Sequence, residues 1–304
     1  MKVLRTPDSR FDGVPDCDFK PTYTTIKDDD GTPLRVLSVD LGPEDADPIL
    51  LIHGNPTWSY LYRQMIPILL KSDGRVIAVD LVGCGRSDKP ARRRYYTLVR
   101  HKRWLTKWML ANDLRNITLF CHDWGVTLGL DLVAKYPERF DRVAVSNATI
   151  PTATELQQNK FLRMWLRMMK FAPRFPWKWA FLGGSSRKNR VSEASCRAYR
   201  APFPGRRYEA GILKFPQLIT IFPDHPELAS NLESWELLGK FDKPFLTLFG
   251  NRDPISEGVE KELQAHILGC AGQDHRIFEG VCHFSPEEIP AELANSLLMF
   301  IGKT

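Results

Sequence analysis

Residues 116–129 read NITLFCHDWGVTLG. An apolar run, 117–120, meets a short polar turn at Cys121-His122-Asp123-Trp124-Gly125, and an apolar-periodic stretch, 126–136, follows at once. A strand that turns sharply into a helix lifts one side chain above the end of a sheet, and here that side chain is Asp123. Outward from this stretch the same grammar repeats. Short unalternating apolar runs at 34–39, 49–52, 76–79, 143–145 and 245–249 each end in a polar or glycine turn. Such runs are expected of parallel strands buried on both faces. Helical periodicity lies between them, best at 60–70, 97–111 and 126–136. The expected fold is α/β, a mostly parallel, doubly wound sheet.

The alternation stops after Ile150. Residues 151–225 carry amphipathic stretches broken by Pro173, Pro176, Gly183-Gly184, Pro202 and Pro204, with no strand-like run. The expected organisation is one discontinuous core domain, 1–150 and 226–304, with a helical cap domain, 151–225, inserted over the carboxyl ends of the strands, where ligands bind in such sheets.

The 304 residues are 43% hydrophobic and 26% charged, which excludes a disordered, collagen-like or coiled-coil chain. No apolar run reaches the roughly 18 residues of a membrane helix. The first eleven residues lack a signal-type apolar stretch, so a cytoplasmic protein with no membrane partner is expected. The six cysteines form no C-x-x-C pair and no zinc spacing, so reduced thiols and no metal are expected. Charge is uneven. Residues 151–220 hold 14 Lys and Arg against 3 acids, while the remainder holds 28 against 33. A basic segment can meet nucleic acid, but these arginines are interleaved with core-type Phe, Trp, Met and Leu. A solvated face and no nucleic acid is the preferred reading.

Asp123 read alone is either a helix N-cap or a nucleophile. At the elbow, the helix dipole and free N–H groups favour its ionised form. An ionised carboxylate there can attack a carbon bearing a leaving group and form an ester. Partners follow in the order nucleophile, acid, histidine. Asp253 comes after the run 245–249, and His283 after the apolar pair Ile277-Phe278. The turn after 143–145 offers no carboxylate through Thr154, which leaves Asp253 as the acid. His283 would activate water and Asp253 would orient its ring. The backbone N–H groups of Asn55 and Trp124 would form an oxyanion hole. His53 reads as a structural loop residue.

With these motifs in order, the chain resembles the haloalkane dehalogenases of the α/β-hydrolase superfamily. The resemblance rests on HGNPTWSYLYR (53–63), DLVGCGRSDKP (80–90), the elbow, and APFPGRRYEAGILKFP (201–216), and runs from about residue 20 to the end. It looks closest to the subfamily that holds halide between two tryptophans. The resemblance implies hydrolysis of a small halogenated aliphatic substrate by water to alcohol, halide and proton, with no cofactor. It implies Trp124 and a cap tryptophan, Trp165, as halide ligands. An indole offers one N–H and no acceptor, which suits an anion. Trp177 and Trp179 read as cap packing. Pro216, Phe215 and Ile255 are expected in the substrate pocket by resemblance, and Thr127 beside them.

Two positions depart from the family pattern. Asn55 stands where that subfamily usually has Glu, which leaves open whether its amide joins the halide site. Cys282 stands where Gly usually precedes the histidine; it reads as a space-filler and not a second nucleophile, and its effect on the pocket is left open. An epoxide hydrolase shares the triad but needs an acid for its alkoxide, normally paired tyrosines; the cap offers Tyr199 and Tyr208. A silent binding member of the superfamily is the third reading. A monomer or weak homo-oligomer is expected.

Overall fold

The computed structural model describes residues 1–72, 74–152, 159–220 and 222–303. Eight strands form one sheet: β1 Pro21–Lys27, β2 Pro33–Leu41, β3 Pro48–Ile52, β4 Arg75–Val79, β5 Ile117–His122, β6 Phe140–Ser146, β7 Phe245–Gly250 and β8 Arg276–Phe278. Their order across the sheet is β8-β7-β6-β5-β3-β4-β2-β1. β2 runs antiparallel to both β1 and β4, and every other neighbouring pair is parallel. β3 and β5 lie side by side, with Ile52 opposite Cys121. The chain leaves β3 toward β4 on one side and leaves β5 toward β6 on the other. The crevice above these two strand ends is therefore the switch point of the sheet.

Helices of eight residues or more among the described residues are α1 Leu98–Ala111, α2 Trp124–Lys135, α3 Lys160–Phe171, α4 Trp177–Gly184, α5 Glu193–Arg200, α6 Leu228–Leu238, α7 Val259–His266 and α8 Pro290–Lys303. The Thr97 hydroxyl caps α1 by accepting the Arg100 N–H at 3.1 Å. Buried Asp131 on α2 pairs with Lys102 of α1 at 2.8 Å and accepts from Ser234 of α6 at 2.7 Å, which ties the three helices together. Between β6 and β7 the described residues form helices and no strand. Residues 153–158 and 221 of the expected insertion lie outside the described residues.

Two expectations need correction. Residues 60–70 are not one helix. A 3-10 turn, Ser59–Tyr62, and a short α-helix, Ile66–Leu69, divide the segment. Pro67 has no N–H to give and its ring crowds the preceding turn, so it sits in the first turn of a new helix instead of inside an old one. β1 was not expected at all. It is an edge strand with half-exposed, Thr-rich sequence, and lacks the apolar run that marks its neighbours.

Candidate active site

The elbow takes the form its residues require. Asp123 has φ 52°, a left-handed conformation, and α2 begins at the next residue. Holding a non-glycine residue there costs about 1–3 kcal/mol, a strain concentrated at functional turns. Two glycines make the room. A Cβ on Gly54 would strike the Asp123 side chain, and one on Gly125 would strike the Ile52 carbonyl.

The Asp123 carboxylate is held at both oxygens. Oδ1 accepts the Asn55 N–H at 2.9 Å, and Oδ2 lies 3.5 Å from His283 Nε2. The Trp124 N–H is at the first position of α2, where no intrahelical acceptor exists. On the far side of the imidazole, Nδ1 is 2.9 Å from Asp253 Oδ2. Asp253 is fully buried; its Oδ2 also accepts from the Ser256 hydroxyl and from Asn147 Nδ2, and its Oδ1 from the Ile255 N–H. The structure thus brings Asp123, His283 and Asp253 into one line.

The electrostatics follow from that line. Burial works against ionisation of Asp123, but the hydrogen bond and charge of His283, with the Asn55 N–H, hold its pKa below the ordinary carboxylate value. Asp253 is depressed in the same way, against its own burial, by His283, Ser256 and the Ile255 N–H. Burial alone would lower the pKa of His283. The Asp253 charge and the hydrogen bonds to both carboxylates overcome it and raise it to about 10. Between two carboxylates the imidazole is an imidazolium at neutral pH.

Asp123 and His283 open onto a cavity of about 490 Å³. Apart from them and Asn55 its lining is apolar or aromatic, supplied largely by α3 and α4. Trp124 and Trp165 both line it, and neither indole N–H has a protein acceptor among the described residues. The Trp165 ring stands edge-on to Phe175 at 6.1 Å. A larger cleft of about 660 Å³ lies alongside, walled by Arg163, Arg167, Lys170 and Lys214. It shares Met164, Pro216 and Ile219 with the first cavity but holds no member of the Asp123–His283–Asp253 line, so the chemistry belongs to the smaller space.

Among the expected pocket residues, Pro216 and Ile255 line the cavity. Thr127 lines a recess of about 60 Å³ behind Asp123, and its hydroxyl donates to the Thr149 carbonyl at 3.0 Å. Phe215 is a correction: it is fully buried, packed between the Trp124 ring at 5.0 Å and the His101 ring at 4.3 Å, and supports the indole from behind. Cys282 is absent from the cavity lining, and burial pushes its thiol up to about 11. Trp177 is buried, but Trp179 is 73% exposed and borders the cavity, so it is not packing. His53 is structural: Nε2 accepts the Leu81 N–H at 3.0 Å. Neither Tyr199 nor Tyr208 lines the cavity, and the Tyr199 hydroxyl donates to Glu287 at 2.7 Å.

Three contacting residues went unread in the sequence. Asn147, in the left-handed region after β6, donates to Asp253 at 3.2 Å. Ser256 donates to the same carboxylate. His122 touches the His283 backbone at 2.6 Å. Adjacency to Asp123 is the only sequence signal any of them gave. Among the described residues no group of three or more His, Cys, Asp or Glu is arranged to hold a metal ion, and no helix is long and apolar enough to cross a membrane. The six cysteines are unpaired.

Known proteins share this fold. A family model described as alpha/beta hydrolase fold matches residues 47–290, which defines the class. Within that class, a haloalkane dehalogenase of Psychrobacter cryohalolentis is 45% identical over 99% of this chain and 98% of its own length. One from Mycolicibacterium paratuberculosis is 42% identical over 98% of each chain. The tetrameric structure of a haloalkane dehalogenase from Paraglaciecola agarilytica aligns with TM-score 0.89 at 32% identity, covering 98% of each chain. The chain belongs to the haloalkane dehalogenase family. That the last relative is a tetramer stands against the expectation of a monomer or weak homo-oligomer.

Proposed function

We propose that this enzyme hydrolyses the carbon–halogen bond of small haloalkanes, giving an alcohol, a halide ion and a proton. An Asp123 carboxylate oxygen attacks the carbon bearing the halogen. The carbon–halogen bond breaks, the halide leaves with the bonding electrons, and an alkyl ester remains on Asp123. The Trp124 and Trp165 N–H groups receive the halide, which needs no proton to depart. The Asn55 amide is the remaining polar group in reach. Residues 151–225 act as the cap that keeps this space dry.

His283 acts in the second half. A water oxygen adds to the ester carbon and its proton passes to Nε2. The oxyanion develops on Oδ1, facing the Asn55 and Trp124 N–H groups. Collapse expels the alcohol with a proton from the imidazolium, and the regenerated acid passes its own proton to His283, which restores the resting imidazolium. Timing follows from the charges. In the free site two carboxylates keep the imidazole protonated. Esterification neutralises Asp123 and removes its charge and hydrogen bond, so His283 gives up its proton when a base is needed.

The observation that carries this reading is the Asp123 carboxylate, 3.5 Å from an Asp253-backed histidine, in an apolar cavity with two indole N–H groups that have no acceptor among the described residues. An epoxide would need a proton donor in that cavity, and no tyrosine among the described residues lines it. The test is halide release from short bromo- and chloroalkanes, with Asp123→Asn as control. Release by the wild type alone is expected. No release from any member by a folded wild type would overturn the proposal.

A further inference from the structure

His122 is buried, precedes the nucleophile in the chain and ends β5. Its Nε2 lies 2.6 Å from the His283 carbonyl oxygen. A carbonyl only accepts, so His122 donates from Nε2, and a neutral ring then leaves Nδ1 bare. That Nδ1 is buried and has no partner among the described residues. An orphaned buried acceptor is unfavourable, so filling space cannot be the reason for histidine here. A leucine or phenylalanine would fill the same space without the orphan. What histidine adds is the Nε2–H aimed at His283. Burial, and then the charge of His283, hold the His122 pKa down to about 4, so the ring is a fixed neutral donor beside two carboxylates.

The contact has a geometric consequence. The side chain of His283 is oriented at Nδ1 by Asp253, and its chain neighbours are tied elsewhere: the Phe284 N–H donates to the Gly184 carbonyl at 3.1 Å, and Ser285 Oγ lies 2.7 Å from Ser146 Oγ on β6. The His283 carbonyl takes one further donor, the Ser285 N–H at 2.9 Å, which belongs to the same loop. Among the hydrogen bonds of the described residues, the His122 bond is the one that refers the backbone of this loop to the strand that carries Asp123. The two rings sit 5.0 Å apart, centroid to centroid.

We propose that His122 is a positioning residue for ester hydrolysis: its Nε2–H fixes the His283 backbone against the nucleophile's own strand and so sets the distance between His283 Nε2 and the ester. The inference rests on the proposed function. It predicts that His122 matters for the water step and not for alkylation, because Asp123 attacks without help from His283.

The test separates the two steps. A 1-bromoalkane is mixed with enzyme in rapid-quench flow. The halide burst of the first turnover reports alkylation, and steady-state release with intact mass reports hydrolysis. In His122→Leu the steady-state rate is expected to fall at least about tenfold, since misplacement of a catalytic group by about 1 Å can cost about a hundredfold. The burst should stay within about twofold, and a covalent alkyl-enzyme should accumulate. His122→Gln, whose amide reaches as far as Nε2, should restore most of the loss, and the shorter His122→Asn should not. Should the leucine variant fail to fold, the Gln and Asn pair alone decides. Burst and steady state falling in equal proportion, or neither changing, would overturn the inference while leaving the proposed function intact. No halide from the wild type would instead remove the reading on which it rests.

Discussion

The strands and the inserted helices are built by different rules. Every residue of β3, β5 and β7 is buried, and the turns after these strands deliver Asn55, Asp123 and Asp253. α3 buries only Leu162 and Met169 and leaves Met164 62% and Phe171 76% exposed. Trp179 on α4 is equally open to solvent at the edge of the cavity. A strand end clamped by neighbours on both sides has few places to put its turn, so reaction geometry belongs there. A helix with three of its eight apolar side chains in water has many acceptable sequences, so the shape of the cavity mouth can vary without harm to the fold. Chemistry and selectivity should then separate under mutation.

The largest effect tests the strand side. Asp253→Asn removes the buried counter-charge of His283, and steady-state turnover should fall by about 10³- to 10⁴-fold, as when the orienting acid of a triad is neutralised. The first-turnover halide burst should survive. Loss of both phases together would mean that Asp253 holds up the site as a whole.

Next come the indoles, one from each region. A hydrogen bond to a charged group is worth about 1.5–3 kcal/mol, about 10- to 100-fold. Trp124→Phe and Trp165→Phe should each lower kcat/KM for a chloroalkane by that much. Loss at Trp124 alone would place halide binding wholly on the strand side and take Trp165 out of the reaction.

A thermodynamic consequence is confined to the strand side. His283 has its folded pKa raised from about 6.5 to about 10, so its contribution to stability is complete below about pH 6.5 and is lost as the pH climbs through 10. Asp123 and Asp253 are depressed, so theirs is present above the ordinary carboxylate range and lost on acidification. In urea unfolding, the difference between wild type and His283→Phe should shrink steadily from pH 6.5 to 10. A constant difference would mean that the imidazole is not charged in the folded resting site.

The smallest effect belongs to the inserted helices. Trp179→Ala removes a side chain that is 73% exposed, so Tm should move by no more than about 2 °C. The ranking of bromoalkanes by chain length should shift about threefold. An unchanged ranking with a large drop in Tm would make α4 a structural element and not a selectivity element.

The same contrast explains what could be read from the sequence. Central parallel strands announce themselves because both faces are buried, and Asp123 and Asp253 were legible because each follows such a strand; His283 follows the edge strand β8 and was legible because it comes next in the set order. β1 gave no such signal, since half its residues face water. The failure at 60–70 came from apolar spacing that Pro67 interrupts. In the site, spacing could not show that Phe215 lies under Trp124, that Trp179 stands at the cavity edge, or that Asn147 and His122 reach the triad. Those facts come from how distant segments pack, and nothing local in the chain encodes them.

The central claim is a covalent ester on Asp123. The direct measurement is a single turnover of His283→Phe with a 1-bromoalkane, followed by halide assay, intact mass and peptide mapping. One equivalent of bromide, a mass gain of one alkyl group, and its location on the peptide holding Asp123 are predicted. Absence of any adduct, or an adduct on another residue, in a folded variant whose wild type releases bromide would contradict the account.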